Sequence, residues 1–310
     1  MDPLPESWPI SARPEGAPLW VPDPKRRPHT GVRLAPGVDA TDPLVRVRAA
    51  SYVVPAHGVL GGWAAAAVHG VPPEWIDGRR GREPLDVPVV VAPPARARSR
   101  RGISVTAGRL DDGDVTVVRG LTVTSGTRTA FDLMRHAADL PEAVAMGDAC
   151  VRHRLTSRSA VVAYAEERPG WKGVALARRA APVLDGRAES PPESKVRVHW
   201  LDGGLGVPIP QVYVLAADGT FLGRVDLFDP EAGVAGEYMG ALHREGRRPW
   251  LDTRRRRGLE GVGVEVVEWW NVDLPRPEEI CRSLALAYRL AARRRADEKT
   301  YRFRCSPGPE

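Results

Sequence analysis

The chain has 310 residues, an apolar fraction of 43% and a net charge of +6. That length predicts about two domains at roughly 150 residues each, with enough apolar residues for real cores, and the basic excess (pI near 9.5) favours an anionic partner. Cys150, Cys281 and Cys305 lie far apart without CxxC spacing, which excludes a disulfide framework and a zinc site. No apolar run is long enough to span a membrane, and the Pro-rich, acidic start is unlike a signal peptide, so a cytoplasmic chain with no membrane partner and no small-molecule cofactor is expected.

Residues 1–30 are rich in proline and lack periodicity, and read as an arm. A domain over 31–126 follows. Residues 44–70 look helical: "VLGGWAAAAVHGV" sets Leu60, Trp63, Ala67 and Val68 on one side, with Gly70 as terminator. "LDVPVVVAPP", "GISVTAG" and "DVTVVRGLTVTS" are β-rich. The turn "ARARSRR" between the first two carries Arg96, Arg98, Arg100 and Arg101. Helix, short strands and a basic turn are consistent with an α+β, winged-helix-like domain, which would put a helix in the DNA major groove and the wing on phosphates. An α+β scaffold with a solvated basic loop has the same pattern.

From Thr127 to about 186 the pattern is helical, with Thr156 and Ser157 as N-caps and Pro141 in a first turn, and reads as a helical connector. "DGRAESPP" marks a boundary. The last domain, 187–310, has the order α-β-β-β-α-β-α. "SPPESKVRVHWL" is a helix, "PIPQVYVLA" and "FLGRVDLF" form a hairpin around "ADG", and "GVAGEYMG" is a third strand. "WLDTRRRRGLEG" is a helix bearing Arg254 and Arg255, expected with the 96–101 arginines to contact nucleic acid, "VGVEVVEWW" a fourth strand, and "PEEICRSLALAYRLAARRR" an amphipathic helix with Ile280, Leu284, Tyr288 and Ala291 on one face.

Alternation in the strands sets Asp226 and Glu237 on side-chain rows that neighbouring strands can bring together. Two carboxylates that close raise each other's pKa, and a divalent cation removes the conflict. Mg²⁺, or Mn²⁺, takes one or two carboxylates plus waters and substrate phosphate, and can activate a water for phosphodiester cleavage. Plainer roles exist for each residue. Asp226 suits a surface strand and Glu237 an Arg pair. Glu193 fits a capping box with Ser190 or an ion pair with Arg197, and His243 fits a surface position.

"SPPESKVR", the hairpin, "EYMGALH" and "RRRRGLEGVGVEVV" together resemble the very-short-patch-repair-like endonucleases of the PD-(D/E)xK, restriction-endonuclease-like superfamily, over about 189–274. The resemblance implies an α/β restriction-endonuclease-like fold with Asp226 and Glu237 as metal acids and Glu193 as the helix acid orienting metal or water. It also puts His243 near the scissile phosphate and Gln211 near the site. "VLGGWAAAAVHGV" and "GLTVTSGTRTAFDL" resemble the antitoxin domain of abortive-infection type IV toxin–antitoxin systems, which implies DNA as partner and a cognate toxin or self-association.

One departure stands out. The superfamily places a lysine two residues after the second acid, where this chain has Met239, whose thioether neither donates a proton nor binds Mg²⁺ well. Lys195, Arg224 or Arg255 could supply the charge. The sequence therefore supports two expectations: a Mg²⁺-dependent endonuclease in a defence setting, or a non-catalytic DNA-binding repressor or antitoxin on a degenerate nuclease fold.

Overall fold

The structure is a computed structural model that describes residues 10–12, 29, 32–34, 38–81, 83–240, 249–294 and 298–308, without the side chains of 10–12, 33, 80 and 249–252. The protein is mixed α/β and divides into two compact units, 1–136 with 153–182, and 137–152 with 183–310. The expected divisions at 126/127 and 186/187 are not where these units part, and the helices expected as a connector are shared between them. Most of the expected arm lies outside the described residues.

In the first unit, β1 (Ile10–Ala12) pairs antiparallel with β2 (Val32–Leu34). Helix α1 (Pro43–Ser51) starts where the Asp42 carboxylate accepts from the Val45 N–H. The stretch expected as one helix then divides: β3 (Gly58–Leu60) precedes α2 (Gly62–His69). Gly61 and Gly62 part them, and Gly62 has φ +48°, where a side chain would be strained. Gly70, at φ +104°, ends α2 as expected. The short β4 (Arg79–Arg80) and β5 (Glu83–Pro84) pair with each other.

Strands β6 (Val87–Val91), β7 (Ile103–Ala107), β8 (Val115–Val118) and β9 (Leu121–Thr124) complete a five-stranded sheet of order β7-β6-β3-β9-β8. Because β6 and β7 run parallel, the basic segment between them is a crossover and not the tip of an antiparallel wing. Helices α3 (Gly126–Arg135), α4 (Leu140–Arg152), α5 (Arg158–Glu166) and α6 (Val174–Ala180) form where expected. Ser157 is the cap chosen for α5. Buried Arg128 pairs with Asp132 of its own helix (2.8 Å) and ties α3 to Asp114 (3.0 Å), its guanidinium 4.9 Å from the centre of the Trp171 ring.

The second unit follows the expected order: α7 (Pro191–Asp202), β10 (Ile209–Leu215), β11 (Phe221–Asp229), β12 (Val234–Tyr238), α8 (Pro249–Gly261), β13 (Glu265–Trp269) and α9 (Pro277–Ala291). A final strand, β14 (Arg302–Cys305), was not anticipated. The sheet order is β13-β12-β11-β10-β14, antiparallel except between β12 and β13.

One core joins Val196 and Trp200 of α7 with Leu227, Trp269, Ile280 and Leu284, and a second joins Val212, Val214, Val225 and Phe228 with Leu259 of α8. Ile280, Leu284 and Ala291 are buried on α9 as the periodicity predicts, while Tyr288 is partly buried and donates its hydroxyl to Asp229. Gly236 is dictated by packing, because a Cβ there would stand 2.5 Å from the Trp269 ring and 2.8 Å from Trp200. Helix α4 belongs here because its fully buried Asp148 accepts from Arg197 (2.8 Å), from the Ser194 hydroxyl (2.7 Å) and from the Asp185 N–H (2.7 Å). Arg197 therefore serves Asp148, and the expected Glu193–Arg197 pair does not form.

Candidate active site

Glu193 sits in the first turn of α7, Gln211 in β10, Asp226 in β11 and Glu237 in β12. Extending the β11–β12 register by one pair from Leu227 and Gly236 sets Asp226 opposite Glu237. The hairpin register sets Gln211, between Pro210 and Val212, against Asp226. Glu193 of the helix and Asp226 of β11 thus meet at Gln211, with Glu237 of β12 beside Asp226.

Gln211 is the joint between them. Its amide donates to Glu193 Oε2 at 2.8 Å and to Asp226 Oδ1 at 3.5 Å. It is 1% exposed, and its amide oxygen has no hydrogen-bond partner among the described residues. Its φ of +53° is a left-handed conformation inside a strand, which for a non-glycine residue costs on the order of 1–2 kcal/mol. Strain and an unpaired buried oxygen at one residue mark a place held for something other than stability.

The acids are buried. Glu193 accepts from the Glu189 N–H and the Ser190 hydroxyl, both at 2.8 Å. This is not the expected capping box, since the hydroxyl donates to Glu193 and does not cap the helix. Burial, and then the Asp226 charge, push the Glu193 carboxyl up to about 7, against those donors. Burial also raises Asp226, with the Glu237 charge adding and the Tyr238 N–H (2.8 Å) and Gln211 opposing.

Arg255 is turned inward. Its two terminal nitrogens meet the two Glu237 oxygens at 2.6 and 2.5 Å, and one also donates to the Arg224 carbonyl at 3.1 Å. Gly223 makes room for its stem, since a Cβ there would lie 3.1 Å from it. A residue expected on nucleic acid thus pairs with a site acid and places a positive charge on Glu237, two residues before the half-buried Met239. Arg224 is clamped by both oxygens of Glu189 (3.0 and 2.6 Å). That pair had no signal in the sequence beyond opposite charge.

Arg254 is exposed on α8, and Arg96, Arg98, Arg100 and Arg101 are all exposed, with no ion pair among the described residues. His243 lies outside the described residues. No group of three or more His, Cys, Asp or Glu side chains that could hold a metal ion occurs among the described residues. Mg²⁺ asks for less, one or two carboxylates completed by water and phosphate. Asp226 and Glu237, beside an unpaired amide oxygen, fit that requirement.

No helix among the described residues is long and apolar enough to cross a membrane. Among known proteins, the chain is 33% identical over 152 residues to the uncharacterized proteins MT2308 and Rv2248 of Mycobacterium tuberculosis. The match covers 48% of this chain and 55% of theirs, so the chain spans about half the length of the curated relatives it matches. No family model and no solved structure matches.

Proposed function

We propose that the second unit is a Mg²⁺- or Mn²⁺-dependent endonuclease of the restriction-endonuclease-like type, resembling the very-short-patch-repair-like enzymes. The observation that carries this reading is Gln211, strained and buried, bridging two buried acids with its amide oxygen unpaired among the described residues. Asp226 and Glu237 would hold the ion, which would polarise a phosphodiester and lower the pKa of an attacking water. Glu193, titrating near neutrality, is suited to move a proton there. The first unit is read as a DNA-binding, antitoxin-like domain in a defence setting, with a cognate toxin or a second copy as partner, although the parallel β6–β7 pairing leaves it without the antiparallel basic wing of a winged helix.

A second reading has its own support. Arg255 occupies both oxygens of Glu237, and Met239 stands where the superfamily has lysine. The fold would then be a non-catalytic scaffold of a DNA-binding repressor. Nicking of supercoiled plasmid with Mn²⁺ separates the two. The nuclease reading expects nicking by the native chain, loss of at least about a hundredfold in Asp226→Asn, as when a preorganised charge is removed from a site, and faster nicking by Met239→Lys. Absence of nicking in both the native chain and Met239→Lys selects the scaffold.

The first unit's exposed arginines make a separate prediction. Replacing Arg96, Arg98, Arg100 and Arg101 with alanine should weaken duplex binding and lower the slope of log K against log salt by up to about 3.6, at ~0.9 per phosphate contact. An unchanged slope would remove the 96–101 segment from the DNA contact.

A further inference from the structure

The unexpected strand β14 builds a surface that the acid cluster does not explain. In the β10 register, Tyr213 lies opposite Arg224 of β11 and opposite Arg304 of β14, so the three side chains share one face. Arg304 stacks over the Tyr213 ring, 5.3 Å from its centroid. The Phe221 ring lies 6.2 Å from the Tyr213 ring, and Phe221 is 59% exposed. All four residues of β14 are exposed, and neither Arg302 nor Arg304 forms an ion pair among the described residues. Tyr213 and Arg224 are two positions along their strands from Gln211 and Asp226, so this row adjoins the acid cluster.

We propose that this row, Phe221, Tyr213, Arg304 and Arg302 beside Arg224, is a track that binds a single-stranded segment of DNA and leads it to the acids. The destination rests on the nuclease reading, whereas the binding does not.

The chemistry selects the occupant. The exposed Phe221 ring, beside half-buried Tyr213 and the Arg302 and Arg304 guanidinium groups that form no ion pair among the described residues, can stack a base and neutralise phosphates, which is how strands are held without sequence preference. A duplex keeps its bases stacked on one another and offers Phe221 none. An added protein strand is disfavoured, because an edge that displays arginines resists pairing with another chain.

The test is fluorescence anisotropy of the full chain with a short labelled oligo(dT), in EDTA so that cleavage plays no part, across a salt series. The native chain is expected to bind. Phe221→Ala should weaken binding about tenfold with the salt slope unchanged, as loss of one stacked base does. Arg302→Ala/Arg304→Ala should lower the slope by about 1.4, at ~0.7 per single-strand contact. Both variants change exposed side chains, and an unshifted melting temperature confirms the fold.

The track is overturned if the native chain does not bind, or if both variants bind as it does. It is also overturned if they weaken a matched duplex as much as oligo(dT), or if they dissolve a dimer in sedimentation without changing DNA binding, which would make the face a contact between copies. Loss of nicking with oligo(dT) binding intact would sink the nuclease reading and leave the track standing.

Discussion

Asp148→Ala should destabilise the second unit by about 3–5 kcal/mol, the cost of breaking a buried ion pair from one side. Asp148 is fully buried, and three donors converge on it: Arg197, the Ser194 hydroxyl and the Asp185 N–H. Removing the carboxylate leaves Arg197, 4% exposed, with the Val183 carbonyl as hydrogen-bond acceptor and only the weaker influence of the Asp185 charge to offset its own. It also frees α4, whose only buried charge is this one. Ser194 follows Glu193, so the loss reaches the candidate site through the first turn of α7.

Urea denaturation followed by tryptophan fluorescence reads the effect, since Trp200 and Trp269 are both buried in this unit. Asp148→Leu combined with Arg197→Met should recover much of the loss, because an apolar pair of similar volume avoids the desolvation of two ions. A loss below about 1 kcal/mol, the scale of an exposed pair, would show that α4 is held by its apolar residues alone.

The parts of this molecule that the sequence disclosed are those set by local periodicity. The spacing of Ile280, Leu284 and Ala291 identified α9, and the "ADG" turn located the β10–β11 hairpin. Asp226 and Glu237 were visible because charged residues inside apolar alternation are anomalous. Long-range features were not legible. Gly58–Leu60 is three residues long and reads as part of a helix until β6 and β9 flank it.

The β6–β7 connection was misread because nothing local distinguishes a parallel crossover from a hairpin of the same strands. Strand β14 is "RFRC", two arginines alternating with Phe and Cys, and only its register with β10 makes it a strand. Arg255 could be counted among the basic residues, but its pairing with Glu237 depends on how α8 lies against the sheet. The same holds for Asp148 and Arg197, which are 49 residues apart.

Asp226→Asn should melt higher than the native chain in EDTA and lose any response to Mn²⁺. Both Glu193 and Asp226 titrate above their ordinary values in the folded chain, so the native state holds protons that the unfolded state has released. The Glu193 contribution is complete below about pH 4.5, its ordinary value, and is lost as pH rises through 7, where Glu193 ionises beside Asp226. The native chain in EDTA should therefore lose stability over that interval, by an amount on the order of 3 kcal/mol from Glu193. Asparagine keeps an oxygen for the Tyr238 N–H and removes the charge that raises Glu193, so the variant's pH dependence should be shallower.

A bound cation acts in the opposite direction, because it favours the ionised acids. At a hundredfold excess over Kd it stabilises by about 2.7 kcal/mol, and the gain should be largest at high pH, where the protons have already left. The ion must also displace Arg255 from Glu237, which makes the measured gain smaller and predicts that Arg255→Ala binds Mn²⁺ more tightly than the native chain does. Thermal melts of the native chain, Asp226→Asn and Arg255→Ala, with EDTA and with Mn²⁺ from pH 5 to 8, read all three effects. If the acids serve only as salt-bridge partners, Asp226→Asn will melt lower and Mn²⁺ will shift nothing. In that case the link of Glu193 and Asp226 through Gln211, with Glu237 on Arg255, is a structural network and not a metal site.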